Sequence, residues 1–225
     1  MKKIFTLLYI YVATLVSAQY ISLSKAEHFN ENNDKRFYNI ASDTEKAEYL
    51  GEIEVQGFSK DDATVFNEIY KKAKTIGANA YTIKQQETID GGLQKFNPEH
   101  YYINLYYKED IGLSENKVYF FSSARKSLKI KINNQPYIIE PRSYSELILN
   151  PGEIVTVSSG GFLGTKLVLG YKENQPTQYF QVLSGGVRAD QSGSQGGLNI
   201  KSGDFVKLEN SYAQFLMAVY DRKND

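Results

Sequence analysis

The sequence predicts an α+β protein in which a small β-α-β-β domain precedes an all-β sandwich domain. Two observations carry this. Over residues 48–110 the apolar period runs from two to about 3.6 and back to two, as for strands around one helix. Over residues 117–221 short apolar runs recur about every 8–12 residues between Gly, Pro and Asn turn residues, as in a sandwich.

A leader precedes both domains. Lys2 and Lys3 are followed by Ile4 to Val16 without a charge, then Ser17-Ala18 before Gln19, the three-part layout of a secretory signal peptide. Small Val16 and Ala18 occupy the positions a cleavage site requires, so residues 1–18 are expected to be removed after Ala18. An apolar stretch of about 13 residues rises only about 20 Å as a helix, short of a hydrocarbon core of about 30 Å, so no stable membrane insertion is expected.

Loss of Lys2 and Lys3 turns 26 basic against 26 acidic residues into 24 against 26, a net charge of −2. The densest basic group, Lys71, Lys72 and Lys74, lies on one predicted helix beside Glu68, so nucleic acid is not an expected partner. The chain has no cysteine. No disulfide braces it, no thiol can act as nucleophile or ligand, and the cleavage site lacks the cysteine that carries a lipid anchor.

Residues 19–47 are rich in Asn, Lys, Glu and Asp with scattered Phe29, Phe37 and Tyr38, and read as a loosely ordered segment with room for one short helix or strand. Residues 49–55 alternate into a strand that Gly57 ends. Ser59-Lys60-Asp61-Asp62 has the spacing of a capping box with Asp in the last place, and a helix is expected from there. Ala63, Phe66, Ile69, Tyr70, Ala73 and Ile76 share one face of it, Lys71, Lys72 and Lys74 suit its negative end, and Gly77 stops it. Residues 78–84 and 101–107 are the next strands, with Asp90-Gly91-Gly92 as turn chemistry between them. The short crossover favours a parallel, right-handed pairing of the first two strands of this domain.

The run Leu50-Gly51-Glu52-Ile53, with the helix end Lys71-Lys72-Ala73-Lys74-Thr75-Ile76-Gly77-Ala78-Asn79-Ala80-Tyr81, resembles a small bacterial envelope domain. Its pattern occurs in the YbjQ-like family and in the outer-membrane stress-sensor lipoprotein of the Rcs phosphorelay. The resemblance covers about 60 residues and implies an envelope compartment. The stress sensor is a disulfide-bonded lipoprotein, so this cysteine-free chain does not inherit its signalling role. Read physically, the motif is structural: Gly77 takes the left-handed position after the helix, Ala78 and Ala80 allow close packing, and Asn79 can bond the turn backbone.

In the second domain strands are expected at 118–121, 128–132, 137–139, 145–149, 154–157, 166–169, 179–183, 205–208 and 215–219. Turn signals such as Asn133-Asn134-Gln135-Pro136 and Asn150-Pro151-Gly152 fall between them. The run Leu147 to Glu153 resembles a strand–Pro-Gly–strand pattern of uncharacterised secreted bacterial domains.

Catalytic chemistry finds little support. His28 and His100 are the only histidines: a zinc site wants three or four His, Cys, Asp or Glu ligands, yet His28 sits in the polar N-terminal segment and His100 borders a strand, and a Ser-His-Asp triad would have to use one of these two, while no Gly-x-Ser-x-Gly elbow surrounds a serine. Glu52 with Glu54, and Glu140 with Glu146, are the candidate paired carboxylates for glycoside hydrolysis, but alternation puts Glu52 and Glu54 on the solvent side of one strand. The Gly-rich run 184–197 lacks the Gly-Lys-Ser/Thr of a phosphate loop; it reads as a mobile hairpin loop, or as a binding loop presenting Arg188 and Asp190 near Tyr179. Eighteen tyrosines without a tryptophan are strand residues first and sugar or peptide contacts second.

The expectation is therefore an exported, periplasmic or secreted, non-enzymatic protein without cofactor or metal. Its partner is expected to be an envelope or extracellular protein, with a small glycan or peptide as the alternative.

Overall fold

Period-two alternation underlies the sheets of this chain, each with one apolar face turned inward. The structure is a computed structural model and describes residues 19–41, 43–85, 90–92, 94–112, 114–159, 165–182 and 205–223. Residues 1–18, where a leader is expected, and the Gly-rich run 184–197 with Arg188 and Asp190 lie outside the described residues. The fold is β-rich and divides into two compact units, Met1–Ile111 and Gly112–Asp225. No helix among the described residues is long and apolar enough to cross a membrane.

The first unit contains strands β1 (Tyr20–Ala26), β2 (Tyr38–Asn39), β3 (Glu48–Gln56), β4 (Ala80–Lys84) and β5 (His100–Tyr107), and helix α1 (Asp62–Thr75). Their order in one sheet is β1-β3-β5-β4-β2. The expected parallel pairing of β3 with β4 does not occur: β5 lies between them, antiparallel to both. β5 pairs along eight positions of β3, from Glu48↔Tyr107 to Gln56↔His100, and so takes the central place that its buried Tyr101, Ile103 and Leu105 require.

The segment 19–47, read as loosely ordered, supplies both edge strands. Ile21 and Leu23 of β1 stand opposite Val55 and Ile53, but a bulge between Leu23 and Lys25 cuts the alternation short, which is why it escapes a period count. Phe37, fully buried, packs against Phe66, Tyr70 and Tyr81.

α1 buries Val65, Phe66, Ile69 and Ala73. Its N-cap is Asp61, whose carboxylate accepts from the Thr64 N–H, rather than Ser59, which instead accepts from the Asp61 N–H. At the other end Gly77 has φ +78° and its N–H donates to Lys74 O, while the Ala78 N–H donates to Ala73 O, a Schellman closure. A Cβ at Gly77 would overlap the Asn30 carbonyl, so glycine is required there twice over.

In the second unit two sheets share one core. The four-stranded sheet has order β11-β10-β7-β8, with β7 (Leu128–Ile132), β8 (Gln135–Ile139), β10 (Ile154–Ser158) and β11 (Lys166–Gly170). The five-stranded sheet has order β13-β12-β6-β9-β14, with β6 (Lys117–Phe121), β9 (Ser143–Ile148), β12 (Gln178–Val182), β13 (Phe205–Lys207) and β14 (Asp221–Arg222). Val118, Phe120 and Phe180 from the second sheet and Ile130, Ile139, Val155, Val157 and Leu169 from the first are buried in the same apolar cluster. Asn133 and Asn134, both left-handed, turn β7 into β8, as the Asn-Asn pair suggests.

One strand expectation fails. Residues 215–219 belong to helix α2 (Asn210–Val219), capped by the Glu209 carboxylate, which accepts from the Tyr212 N–H at 3.0 Å. A short continuous apolar run is equally compatible with a buried strand and a buried helix. Here Ser211, Phe215, Leu216 and Val219 are buried at helical spacing. Ala213, Leu216, Met217 and Ala218 favour the helix, and Val219 alone is β-branched.

Candidate functional site

Alternation along β1, β3, β5 and β4 sends every second side chain to the sheet face opposite the apolar one, and the register groups these into rows. Tyr20, Gln56 and His100 form one row; Ser22, Glu54, Tyr102 and Lys84 the next. Lys25, Glu52, Asn104 and Thr82 follow, then Tyr49 and Tyr106. This outer face carries tyrosine rings interleaved with carboxylates, an amide and hydroxyls.

Its acids are held by neighbours. Glu54 Oε1 accepts from Gln56 Nε2 at 2.7 Å and from the Tyr102 hydroxyl at 2.9 Å, and lies 2.8 Å from His100 Nε2, which donates when protonated there. Hydrogen bonds from Gln56, His100 and Tyr102 hold the Glu54 carboxyl below the usual range. The same bond to Glu54 raises the Tyr102 phenol. Glu52 takes a 2.6 Å ion pair from Lys84 and a hydrogen bond from the Ser24 hydroxyl. Lys25 and Lys84 also sit over the Tyr49 and Tyr102 rings, and Tyr49 meets Tyr106 edge-on. Asn104, on the central strand, makes no side-chain hydrogen bond among the described residues.

Chemically, this arrangement suits recognition better than proton transfer. A glycosidase acid needs a raised carboxyl, and Glu54 is shifted the other way. Glu140 and Glu146 are not brought together: Glu140 follows β8, whereas Glu146 lies on β9 between Lys117 (2.7 Å) and Arg222 (2.6 Å). Tyr179 is a buried strand residue, 5% exposed, stacked on Tyr119 at 5.5 Å, so its ring offers little surface to a ligand. His28 is exposed in the N-terminal segment and far in sequence from His100, and no group of three or more His, Asp or Glu placed to hold a metal occurs among the described residues.

A second polar cluster fixes the frame of the face. Asn79, fully buried, donates to Asp34 Oδ2 (3.1 Å) and Lys108 O (2.9 Å) and accepts from the Lys108 N–H (2.9 Å). Asn79 thus bonds distant chain segments rather than its own turn. Partial burial would raise the Asp34 carboxyl, but hydrogen bonds from Asn79, Arg36 and Asn32, with the Lys74 charge, outweigh it and hold the group at about 2. Lys108 lines a 420 Å³ cavity together with Asp43, Glu45, Lys46, Glu109 and Asp110; its ammonium donates to the Asp43 and Glu45 carbonyls and pairs with the Asp43 carboxylate at 2.6 Å. These two carbonyls are thus already satisfied by the lysine ammonium.

The face of Glu52 and Glu54 was legible in their alternation with Ile53 and Val55; the Glu54–His100–Tyr102 cluster was not, because it depends on β5 pairing next to β3. Compared with protein-family models, with curated proteins and with solved structures, the chain matches none.

Proposed function

We propose that this protein is exported on its leader, is not an enzyme, and binds a protein or surface partner through the outer face of its first sheet. The observation that carries the reading is the mutual satisfaction of that face: Glu52 and Glu54 are tied by Lys84, Ser24, Gln56, Tyr102 and His100, giving a pre-set polar and aromatic surface. Pre-ordered side chains lose little entropy on association. A β-rich chain of two compact units, and the envelope compartment implied by the resemblance of residues 50–81, agree with this role.

A second reading, a glycan or peptide ligand, is favoured by Asn104. Its amide stands on the central strand without a partner, in register rows flanked by those of Tyr102 and Tyr106, a combination of ring faces and planar polar groups that suits sugar hydroxyls or peptide bonds.

Co-purification of the tagged protein from its native envelope tests both. The expected result is a partner retained when residues 185–197 are deleted and lost in Tyr49→Ser/Tyr102→Ser/Asn104→Ala. Loss on deletion of the loop alone would move the contact to the loop and overturn the assignment to this face. If no protein is retained, a glycan and peptide array decides for the second reading, with Asn104→Ala as the variant that must lose signal.

A further inference from the structure

The four-stranded sheet of the second unit also has an outer face, and its composition is different. Lys166, Ser158, Lys131 and Pro136 form one row across β11, β10, β7 and β8. Lys129 pairs with Ile138 two positions along, and Ile154 and Val168 stand on the same side of β10 and β11. Strands about 4.8 Å apart, with same-face residues about 6.7 Å apart, place the three lysines on a patch about 12 Å across.

The four strands contain no Asp or Glu at all. Among the described residues the unit's carboxylates lie outside these strands: Glu146 is held by Lys117 and Arg222 on the other sheet, Glu209 caps α2, Asp221 is on β14, Glu153 accepts from Asn150 in the turn before β10, Glu115 and Glu173 lie between strands, and exposed Glu140, the residue after β8, is the one acid that alternation with Pro136 and Ile138 puts at the border of this face. Lys129, Lys131 and Lys166 have no ion-pair partner among the described residues. Exposed Arg125 and Lys126 precede β7 and add the same sign. Between these charges Ile154 is 70% exposed, Val168 66% and Ile138 45%.

A lysine on an edge strand such as β11 can be explained as protection against edge pairing. That does not explain Lys129 and Lys131, which lie on β7 inside the sheet, or the aliphatic side chains beside them.

From this charge complementarity we infer that the outer face of the four-stranded sheet docks peripherally on an anionic lipid surface. Lysines are point charges without the fork geometry that reads a particular carboxylate, so they fit a fluid layer of negative headgroups. An exposed sheet face with separately projecting Ile138, Ile154 and Val168 offers aliphatic tips that can dip into the surface beside the lysines. The contact is independent of the first unit's face and survives if the partner proposed there is wrong.

Co-sedimentation of the purified protein with vesicles tests it. Binding is expected to vesicles containing phosphatidylglycerol, to be weak on pure phosphatidylcholine, and to fall as salt rises. Each lysine near an anionic surface contributes about a fivefold gain in affinity, so Lys129→Gln/Lys131→Gln/Lys166→Gln is expected to lose on the order of 100-fold. Ile154→Thr/Val168→Thr, which keeps strand-forming residues, is expected to lose about tenfold. Lys71→Gln/Lys72→Gln, on α1, is the control that should bind unchanged. No binding to acidic vesicles, or full binding by the triple variant, overturns the proposal. So does binding to soluble polyglutamate without binding to vesicles, which would point to an acidic protein instead.

Discussion

The outer face of the first sheet and the outer face of the four-stranded sheet are built by the same alternation and end in opposite states. On the first, each acid finds a donor: Glu54 serves Gln56, His100 and Tyr102, and Glu52 serves Lys84 and Ser24. On the second, Lys129, Lys131 and Lys166 share one sign and meet no acid on their own strands. The difference separates charge that holds the fold from charge that is left for something else. Inside the first unit this goes further, since Asp34, Lys74, Asn79 and Lys108 join three separate stretches of chain through partly or wholly buried bonds.

The comparison is broken most severely at Asn79. Asn79→Ala would strip one partner from the Asp34 carboxylate and leave the buried Lys108 N–H without its side-chain acceptor, at about 3 kcal/mol in all. Urea unfolding measures the loss, and amide exchange localises it to β4 and β5. A loss below about 1 kcal/mol would mean that water replaces the amide and that the first unit's polar ties are not structural.

The next effect is in pH. Asp34 titrates at about 2 in the folded protein against 3.8 ordinarily. Its stabilisation is therefore complete above the ordinary carboxylate range and disappears as pH falls from about 4 to about 2, a contribution of about 2 kcal/mol. Stability of wild type should drop over that window more than that of Asp34→Asn, whose curve lacks this component. Parallel curves would show that the hydrogen bonds to Asp34 do not persist in solution.

The sequence makes the first unit's apolar half readable, because α1 repeats Phe66, Ile69 and Ala73 at helical spacing and β3 alternates Ile53 and Val55 against Glu52 and Glu54. It does not reveal strand order: β5 enters between β3 and β4 through pairing remote in sequence, and the Glu54–His100–Tyr102 cluster depends on it. β1 is concealed by its bulge. α2 is concealed by an apolar run without visible period, although the Glu209 cap and a row of good helix formers are the signals that mark it. The lysine face is readable in principle as Lys129-Ile130-Lys131 in alternation. That Lys166 joins it, and that no acid stands on the strands themselves, follows only from the order β11-β10-β7-β8.

The smallest expected effect sharpens the comparison most. Lys129→Gln/Lys131→Gln/Lys166→Gln should change unfolding stability by less than about 0.5 kcal/mol, because exposed side chains without partners contribute little to a fold and removing like charges offsets whatever packing their stems supply. Glu54→Gln on the other face, which weakens three hydrogen bonds at one oxygen, should cost about 1 kcal/mol in the same urea experiment. If the lysine variant proves the more damaging of the two, those ammonium groups are holding carboxylates or carbonyls of the chain, and their charge is not free to meet a surface. If it is silent in stability while vesicle binding falls, the loss of binding cannot be assigned to unfolding, and the lysines act on the partner directly.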